Sequence, residues 1–454
     1  MPPQHARGAL RPAALCRRHD LPALPRAAVV RHRRRGRASR RALLAGGLPR
    51  RVPADRRRRQ PLQRDRAAAR RAGAHPSRRR ARGATVRVGL LGASGELGGV
   101  AARVLLDGGL DTLRLGARDR RRAETLAAEL RRRAPGARIE TRAVDLTEPA
   151  SALAFAADCG VLVNCAGPAR DTSRHAALAA IAAGVDLVDA SAEPGIAALF
   201  ERAPARTALL GAGLQPGLTG LLPRWLAGRG FARVTRLRSY LRVFDRFTAT
   251  AATDFLHTTD AGCLPLAAWR SGPRGGALAR RSAVELPFFD APATLLPYLD
   301  QEAMALAGAL GLEHGDWFSV VSAPQVLDAF DRAPALEPEA ARAALERASA
   351  LDLLGRRPRI QLLVELAGRD PAGRALTRCA LVDGVGNATV SGTLIALATG
   401  ALVDGALTPG AGFAALALDP EAMLAGLRAQ RAIEPPQWLD GGVEDLAVTE
   451  EGAL

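Results

Sequence analysis

The stretch VRVGLLGASGELGGVAARVLL, residues 86–106, decides the fold of this chain. It begins as a short apolar strand, turns at Gly92, Gly95 and Gly98, and continues as a helix. In a dinucleotide site these glycines permit the tight turn, the approach of a pyrophosphate and close packing of helix on strand. The phosphates would lie at the helix N-terminus, where free N–H groups favour negative charge. We predict a Rossmann unit; a strand–helix turn without a ligand is the alternative.

The end of the next strand indicates which dinucleotide is bound. Residues 112–115 form this predicted strand, which ends in GARD, residues 116–119. An NAD site usually has an acidic residue about 20 positions after the glycines, to hold the ribose 2′-hydroxyl. Here Arg118 occupies that region, and a guanidinium suits a 2′-phosphate. We therefore favour NADP, with Asp119 as a competing 2′-hydroxyl ligand and Arg120–Arg122 as the solvated start of a helix.

The positive charge of the chain is confined to its first segment. The whole sequence has a formal net charge of +19, but residues 1–84 hold 26 Arg and only 3 Asp. The remainder has 38 Arg against 42 acidic residues, so nucleic-acid binding by this part is not expected. We hypothesise that residues 1–84 are disordered and not native, as when a GC-rich gene is read upstream of its start. An RNA-binding arm is the alternative.

The sequence contains no lysine, because all 64 basic residues are Arg. A Walker A site and pyridoxal-phosphate chemistry each require a lysine. The Tyr-x-x-x-Lys pair of short-chain dehydrogenases is also excluded, and the only tyrosines are Tyr240 and Tyr298. A nucleotide bound to this chain is therefore expected to deliver hydride rather than a phosphoryl group.

Cysteine and histidine form no pattern of metal ligands. The five Cys have no C-x-x-C spacing, and the seven His form no H-x-x-x-H pair. We therefore predict no metal site. No apolar segment is long enough to span a membrane without interruption, so we expect a soluble, cytoplasmic protein.

Polar or glycine-rich residues follow several predicted strands between residues 85 and 225. They are Asp145, Asn164–Pro168, Asp189–Glu193 and Gly213–Gly217. Strands that alternate with helices predict a doubly wound parallel sheet, which binds ligands beyond the carboxyl ends of its strands. These residues are therefore expected at one edge of the sheet. Asp145 either contacts the adenine side of the cofactor or caps a helix.

The pattern changes after residue 225 and suggests a second domain. We predict a Rossmann domain over 85–225, an inserted α+β domain over 226–385, and C-terminal helices over 386–454 that pack back on the Rossmann domain. Within the inserted domain, alternation of polar and apolar residues predicts longer strands, and helices are predicted between them. The predicted strands are 233–245, 281–288 and 359–367, and the predicted helices are 299–311 and 335–350.

Several motifs together resemble the saccharopine dehydrogenase-like NADP-binding oxidoreductase family. They span most of residues 86–430: GASGELG (92–98), GARD (116–119), VNCAGP (163–168), GVDLVDASAE (184–193), GAGLQPGLTGLLPRWLA (211–227), PFFD (287–290) and YLDQE (298–302). The resemblance implies a Rossmann domain with an inserted mixed-sheet domain for substrate binding and dimerisation. It implies NADP(H) and hydride transfer to an imine or a related carbon.

The resemblance also implies roles for individual residues. Gly92, Ser94, Gly95 and Gly98 would hold the pyrophosphate, and Arg118 the 2′-phosphate. The residues Ala166, Gly167 and Pro168 would lie beside the nicotinamide ribose. Without lysine, a proton donor must come from other side chains.

The candidate proton donors are carboxylates and one histidine. They are Asp189 and Glu193 at a strand end, and Asp254 and His257 in the segment TATAATDFLHTTDAG. For each of them a structural role is the alternative. Arg242 or Arg246 is a candidate for binding a substrate carboxylate, with a surface or dimer role as the alternative.

We therefore predict an NADP(H)-dependent oxidoreductase that acts on a C=N centre, or a C=C or C=O centre, of a small molecule. A non-catalytic NADP-binding sensor or partner subunit is the alternative.

Overall fold

A computed structural model describes residues 86–258, 262–405 and 407–446. The hypotheses about residues 1–84 lie outside the described residues. The strands of the described part are β1 Val88–Leu91, β2 Thr112–Ala117, β3 Arg138–Ala143, β4 Val161–Asn164, β5 Asp186–Asp189, β6 Thr207–Leu210, β7 Arg233–Phe244, β8 Leu264–Pro265, β9 Ala268–Arg270, β10 Pro273–Arg274, β11 Arg281–Val284, β12 Ala293–Leu299, β13 His314–Val321, β14 Arg359–Arg369, β15 Ala375–Gly384, β16 Gly410–Phe413 and β17 Gln437–Asp440.

Helices connect these strands. They are α1 Glu96–Asp107, α2 Arg120–Arg133, α3 Pro149–Ala156, α4 Ala169–Ala183, α5 Ile196–Leu199, α6 Leu218–Ala227, α7 Ala249–Leu256, α8 Gln301–Leu310, α9 Pro324–Arg332, α10 Pro338–Asp352, α11 Asn387–Val403, α12 Ala414–Ala417 and α13 Pro420–Ala429.

The first sheet is parallel and has the order β16-β6-β5-β4-β1-β2-β3. The chain moves outward from β1 to β3 and then returns to β4 on the other side of β1, which is the doubly wound Rossmann order. The central strand is apolar and buried on both faces, because helices cover both sides. The predicted Rossmann-type sheet is therefore confirmed, and its switch point lies between β1 and β4.

The second sheet contains ten strands and is mixed. Strands β7 and β13 pair in parallel, whereas β14 pairs antiparallel with both β7 and β15. The predicted strands 233–245 and 359–367 correspond to β7 and β14, while 281–288 is strand only over Arg281–Val284. The α+β character of the inserted part is confirmed. Most of its short strands were not predicted, because long-range pairing rather than local alternation makes them strands.

The C-terminal segment contributes to both sheets. Helix α11 packs on α1, and Gly392 permits this contact because a Cβ there would lie 2.7 Å from the carbonyl oxygen of Leu97. Strand β16 extends the Rossmann sheet, and β17 pairs with β15 in the second sheet. The sequence prediction of helices alone missed these two strands. Within the described ranges, no helix is both long and apolar enough to cross a membrane.

Candidate cofactor and active site

The glycine turn between β1 and α1 is shaped by backbone contacts. Gly92 has φ +71°, and a Cβ on it would lie 2.7 Å from the backbone nitrogen of Ala166. A Cβ on Gly98 would collide with the carbonyl oxygen of Gly92. Gly95 is the N-cap of α1 and provides no side-chain acceptor for the first N–H groups of the helix. These N–H groups can therefore bind a phosphate, and Ser94 is exposed beside them.

Arg118 and Asp119 follow β2 and have different roles in the structure. The Asp119 Oδ1 atom accepts the backbone N–H of Arg121 at 2.9 Å, so this carboxylate caps α2. The Arg118 side chain is exposed, and in the part of the chain that is described it has no hydrogen bond or ion pair. The cap occupies the acidic residue and leaves the guanidinium available, which favours a 2′-phosphate over a 2′-hydroxyl.

Asp145 follows β3 and fixes a turn. Its Oδ1 atom accepts the N–H of Thr147 at 2.9 Å and the hydroxyl of Thr147 at 2.7 Å. These hydrogen bonds and the nearby Arg118 charge lower the pKa of Asp145. The carboxylate is not the cap of α3, since Glu148 occupies that position. Asp145 is exposed, and it lies close enough to Arg118 for the two charges to interact.

The loop after β4 is held by hydrogen bonds from side chains to the backbone N–H and the backbone carbonyl of Ala166. The Ala166 N–H donates to Oδ1 of Asn164 at 3.2 Å, and its carbonyl accepts the Thr172 hydroxyl at 2.8 Å. The same hydroxyl lies 3.0 Å from the carbonyl oxygen of Pro168. Residues 166–168 therefore have a fixed conformation beside the glycine turn, as the contact of Gly92 with Ala166 shows.

Asp189 supports this loop through its hydrogen bond to Asn164. Its side chain is only 1% exposed and accepts hydrogen bonds from Asn164 Nδ2 at 3.0 Å, from the Ser191 N–H at 2.9 Å and from the Ser191 hydroxyl at 3.0 Å. Burial raises the pKa of Asp189, although these hydrogen bonds oppose the shift. The carboxylate orients Asn164, and Asn164 in turn holds Ala166.

Helix α7 of the inserted domain packs on the same loop. The Asp254 Oδ1 atom accepts a hydrogen bond of 2.8 Å from the N–H of Ala169, and Ala169 is the first residue of α4. Thr250, one turn earlier on α7, lies so close to Gly167 that a Cβ there would collide with its methyl group. Burial raises the pKa of Asp254. The second domain therefore closes one side of the loop that contains residues 166–168.

Glu193, Arg170 and His257 surround this contact. The Arg170 Nη1 atom donates to Nε2 of His257 at 2.8 Å. The Glu193 side chain is half-buried and has no hydrogen bond or ion pair with any described residue. Burial raises the pKa of Glu193, and the negative charges of Asp254 and Asp189 raise it further, while Arg170 lowers it. The structure thus brings the four predicted candidates Asp189, Glu193, Asp254 and His257 into one region.

A cavity of about 180 Å³ lies along another flank of α7. Its walls come from the inserted domain and from two elements of the Rossmann side, represented by Gln215 after β6 and Asn387 at the start of α11. Arg242 lines the cavity but is buried and paired with Asp290. Arg246 also lines it, and its Nη2 atom lies 3.3 Å from Oε1 of Glu96 on α1.

Sequence reasoning missed the residues that hold the loops. Asn164 and Thr172 act through hydrogen bonds to Ala166, and Ser391 accepts the N–H of Leu214 at 2.9 Å. Asn164 was predicted at the sheet edge together with residues 165–168, but not as the residue that holds this loop. A buried Asn at the end of an otherwise apolar strand is a signal that could have identified it, because a buried amide requires partners. Ser391 gave no comparable signal within its small-residue helix.

The strand order and the glycine turn define a dinucleotide-binding Rossmann protein. Residues 88–210 match the family model described as the saccharopine dehydrogenase NADP binding domain. The chain therefore contains the NADP-binding domain of the saccharopine dehydrogenase-like family, and the resemblance and the cofactor predicted from the motifs are confirmed. The search of curated proteins found no match.

A solved structure shows the same fold over more of the chain. Apo saccharopine dehydrogenase (L-Glu forming) from Saccharomyces cerevisiae matches with a TM-score of 0.57 and 15% identity, over 78% of this chain and 100% of that chain. A meso-dapdh mutant with DAP from Clostridium tetani E88 matches with a TM-score of 0.40 and 14% identity, over 76% of this chain and 99% of that chain. At 15% identity the likeness to the yeast saccharopine dehydrogenase is one of fold.

Proposed function

We propose that this protein is an NADP(H)-dependent oxidoreductase that transfers hydride to or from a C=N centre, or a C=C or C=O centre, of a small molecule. The observation that carries the proposal is the loop 166–168. It is fixed by Asn164 and Thr172 beside the glycine turn, and α7 of a second domain covers it. This arrangement gives a substrate a defined place next to the cofactor.

The proposed cofactor site extends along the carboxyl edge of the Rossmann sheet. Gly92, Ser94, Gly95 and Gly98 would hold the pyrophosphate at the N-terminus of α1. Arg118 would bind the 2′-phosphate, and Asp145 would lie at the adenine end. The residues Ala166, Gly167 and Pro168 would lie beside the nicotinamide ribose. Bound NADPH supplies the hydride, and the chain's own residues orient the reactants and supply the proton.

We assign the role of proton donor to Glu193. A general acid needs a carboxyl group that holds its proton near neutral pH, and burial together with two neighbouring carboxylates raises the pKa of Glu193. Its carboxyl group has no hydrogen bond among the described residues, so it is available to a substrate. Asp189, first considered as an acid, is instead proposed as a positioning residue, because three donors occupy it away from solvent.

His257 and Asp254 complete the proposed acid site without transferring the proton themselves. The Arg170 N–H donates to His257, so the contacted imidazole nitrogen acts as an acceptor there. Asp254 holds the N-terminus of α4 and adds negative charge beside Glu193. The homodimer implied by the family resemblance and the cytoplasmic location stay predictions.

The competing function is NADP binding without chemistry, as in a sensor. Absorbance of NADPH, followed with a panel of 2-keto acids, aldehydes and their imines with amines, separates the two functions. If the protein is an oxidoreductase, members of the panel should oxidise NADPH. This oxidation should be lost in the Glu193→Gln variant. NADPH binding without oxidation by any panel member would favour the sensor.

A further inference from the structure

The cavity beside α7 has an aromatic end. Phe255 stacks on Phe330 with ring centroids 4.4 Å apart, and Phe247 meets both rings edge-on at 5.6 and 6.2 Å. All three rings line the cavity of about 180 Å³. For comparison, an apolar cavity of about 150 Å³ holds a benzene molecule. The cavity therefore has the size to hold a phenyl ring or a branched hydrocarbon, and its aromatic end has the matching chemistry.

Polar side chains near the aromatic end are already used by the fold. The Ser349 hydroxyl accepts the N–H of Phe247 at 2.9 Å, and Asp352 accepts the N–H groups of Gln325 and Val326 at the start of α9. The Arg242 guanidinium is paired with Asp290 through Nη1, while its buried Nε atom has no hydrogen-bond partner among the described residues. A charged group placed against the three rings would lose its water, and the rings offer it no hydrogen-bond partner, which is costly.

Two amide side chains at the Rossmann side of the cavity each keep one group that can bind a ligand. Asn387 accepts the Ser391 hydroxyl on Oδ1 at 3.0 Å, which leaves its Nδ2 group as a donor. Gln215 lines the same side and is exposed. Its Nε2 atom donates to Oδ2 of Asp300 at 3.4 Å, which leaves its Oε1 atom as an acceptor. Helix α7 connects this cavity with the loop 166–168, because Ala251 and Phe255 line the cavity while Thr250 and Asp254 contact the loop.

We propose that the substrate of this site is an amphipathic small molecule with an apolar body the size of a phenyl group or a branched alkyl chain. The body packs against Phe247, Phe255 and Phe330, and the polar, reacting end points toward the Rossmann side, where Gln215 and Asn387 line the cavity. The inference rests on the proposed function and names the substrate class of that site. A compact molecule with charges at both ends does not fit it.

Calorimetric titration of the NADPH-saturated full chain with two amides tests this inference. The probes are 3-phenylpropanamide, which has an apolar body, and succinamide, which is polar at both ends. We expect one site for 3-phenylpropanamide and at least about tenfold weaker binding of succinamide, a difference of about 1.4 kcal/mol. Equal affinities, or tighter binding of succinamide, would overturn the proposal.

Two alanines of α7 provide a matched pair of variants. Ala251 lines the cavity, whereas Ala249 is exposed and does not line it. Ala251→Phe should fill the cavity and weaken the binding of 3-phenylpropanamide at least about tenfold. Ala249→Phe should leave this binding unchanged. Both variants should keep the wild-type affinity for NADPH. If Ala251→Phe does not fold, Phe330→Ala should enlarge the cavity and shift the preference to a naphthyl analogue. No effect of a folded cavity variant would overturn the site.

Turnover separates this inference from the proposed function. Oxidation of NADPH by polar dicarboxylic keto acids alone would retain the oxidoreductase and overturn the apolar substrate. Binding of 3-phenylpropanamide without NADPH oxidation by any panel member would retain the cavity as a ligand site and overturn the oxidoreductase.

Discussion

The carboxylate of Asp254 accepts a hydrogen bond of 2.8 Å from the backbone N–H of Ala169. Asp254 belongs to α7 of the inserted domain, and Ala169 is the first residue of α4 in the Rossmann domain. The contact adds a negative charge at a helix N-terminus, where it is favourable. It also places Asp254 where its charge raises the pKa of Glu193. One hydrogen bond thus links domain packing to the proposed acid.

Glu193→Gln should remove proton transfer and leave cofactor binding intact. Loss of a general acid typically lowers kcat by about 10²–10⁴-fold. In the reducing direction the wild-type rate should fall as pH rises through the raised pKa of Glu193, because only the protonated form is active. The variant should lack this limb in its pH–kcat profile. Glu201→Gln, an exposed change on the segment that follows, is the control, and an unchanged pH profile in Glu193→Gln would contradict the assignment.

Asp254→Asn should move the same pH limb to lower pH. The amide oxygen can still accept the Ala169 N–H, but the negative charge that raises the pKa of Glu193 is lost. The pKa of Glu193 therefore falls, and the rate declines at a lower pH than in the wild type. The measurement is the kcat profile of both proteins at saturating NADPH. A limb that stays in place, or that moves to higher pH, would show that the two carboxyl groups are not coupled as described.

Arg118→Gln should weaken the binding of NADPH and leave the binding of NADH unchanged. Hydrogen bonds to charged groups contribute about 1.5–3 kcal/mol, which corresponds to about 10–150-fold in affinity. Calorimetry should therefore show a large rise in the NADPH Kd and little change for NADH. Arg132→Gln, an exposed position at the last turn of α2, is the matched control. Equal losses for both nucleotides would place Arg118 outside the 2′-phosphate site.

Adjacent glycines of α1 should respond in opposite ways to alanine. A Cβ on Gly98 would collide with the carbonyl of Gly92, so Gly98→Ala should destabilise the protein by about 1–3 kcal/mol. A Cβ on Gly99 would meet the end of the Arg103 side chain at 3.4 Å and the carbonyl oxygen of Ala93 at an ordinary contact distance of 3.9 Å. Gly99→Ala should therefore stabilise the helix by about 0.5–1 kcal/mol. Chemical denaturation measures both changes, and equal stabilities of the two variants would be inconsistent with the packing described for the turn.

Glu302→Gln should stabilise the protein most at high pH. Burial raises the pKa of Glu302 from 4.5 to about 8, while its Oε2 atom accepts the Thr219 hydroxyl at 2.6 Å. Between these pH values the folded state holds a proton that the unfolded state releases, so wild-type stability falls as pH rises, by up to about 1.4 kcal/mol per pH unit. The Gln variant should lack this decline in the free energy of unfolding. Glu339→Gln, at an exposed ion pair, is the control. Parallel pH profiles for Glu302→Gln and the wild type would refute the assignment.

The Rossmann half of the fold could be predicted from local sequence. Gly92, Gly95 and Gly98 follow an apolar strand, and strands and helices alternate after them, so local periodicity is sufficient. The second sheet could be predicted only where a strand is long, as in β7 and β14. Its short strands depend on pairing between residues far apart in the chain, and β16 has a sequence, GAGF, that shows no alternation.

The candidate site was only partly visible in the sequence. The acidic residues after β5 could be placed at the sheet edge, because strand ends converge there. Their different environments could not be foreseen, since Asp189 is buried by Asn164 and Ser191 while Glu193 is left half-buried beside Asp254. The aromatic cavity could not be foreseen either, because Phe247, Phe255 and Phe330 come together only through the packing of α7 and α9.

Titration calorimetry of the full chain with NADPH and with NADH tests the central claim most directly. The account predicts one NADPH site per chain and clearly weaker binding of NADH, because Arg118 is available to a 2′-phosphate while Asp119 caps α2. Binding of neither nucleotide, or tighter binding of NADH, would contradict it.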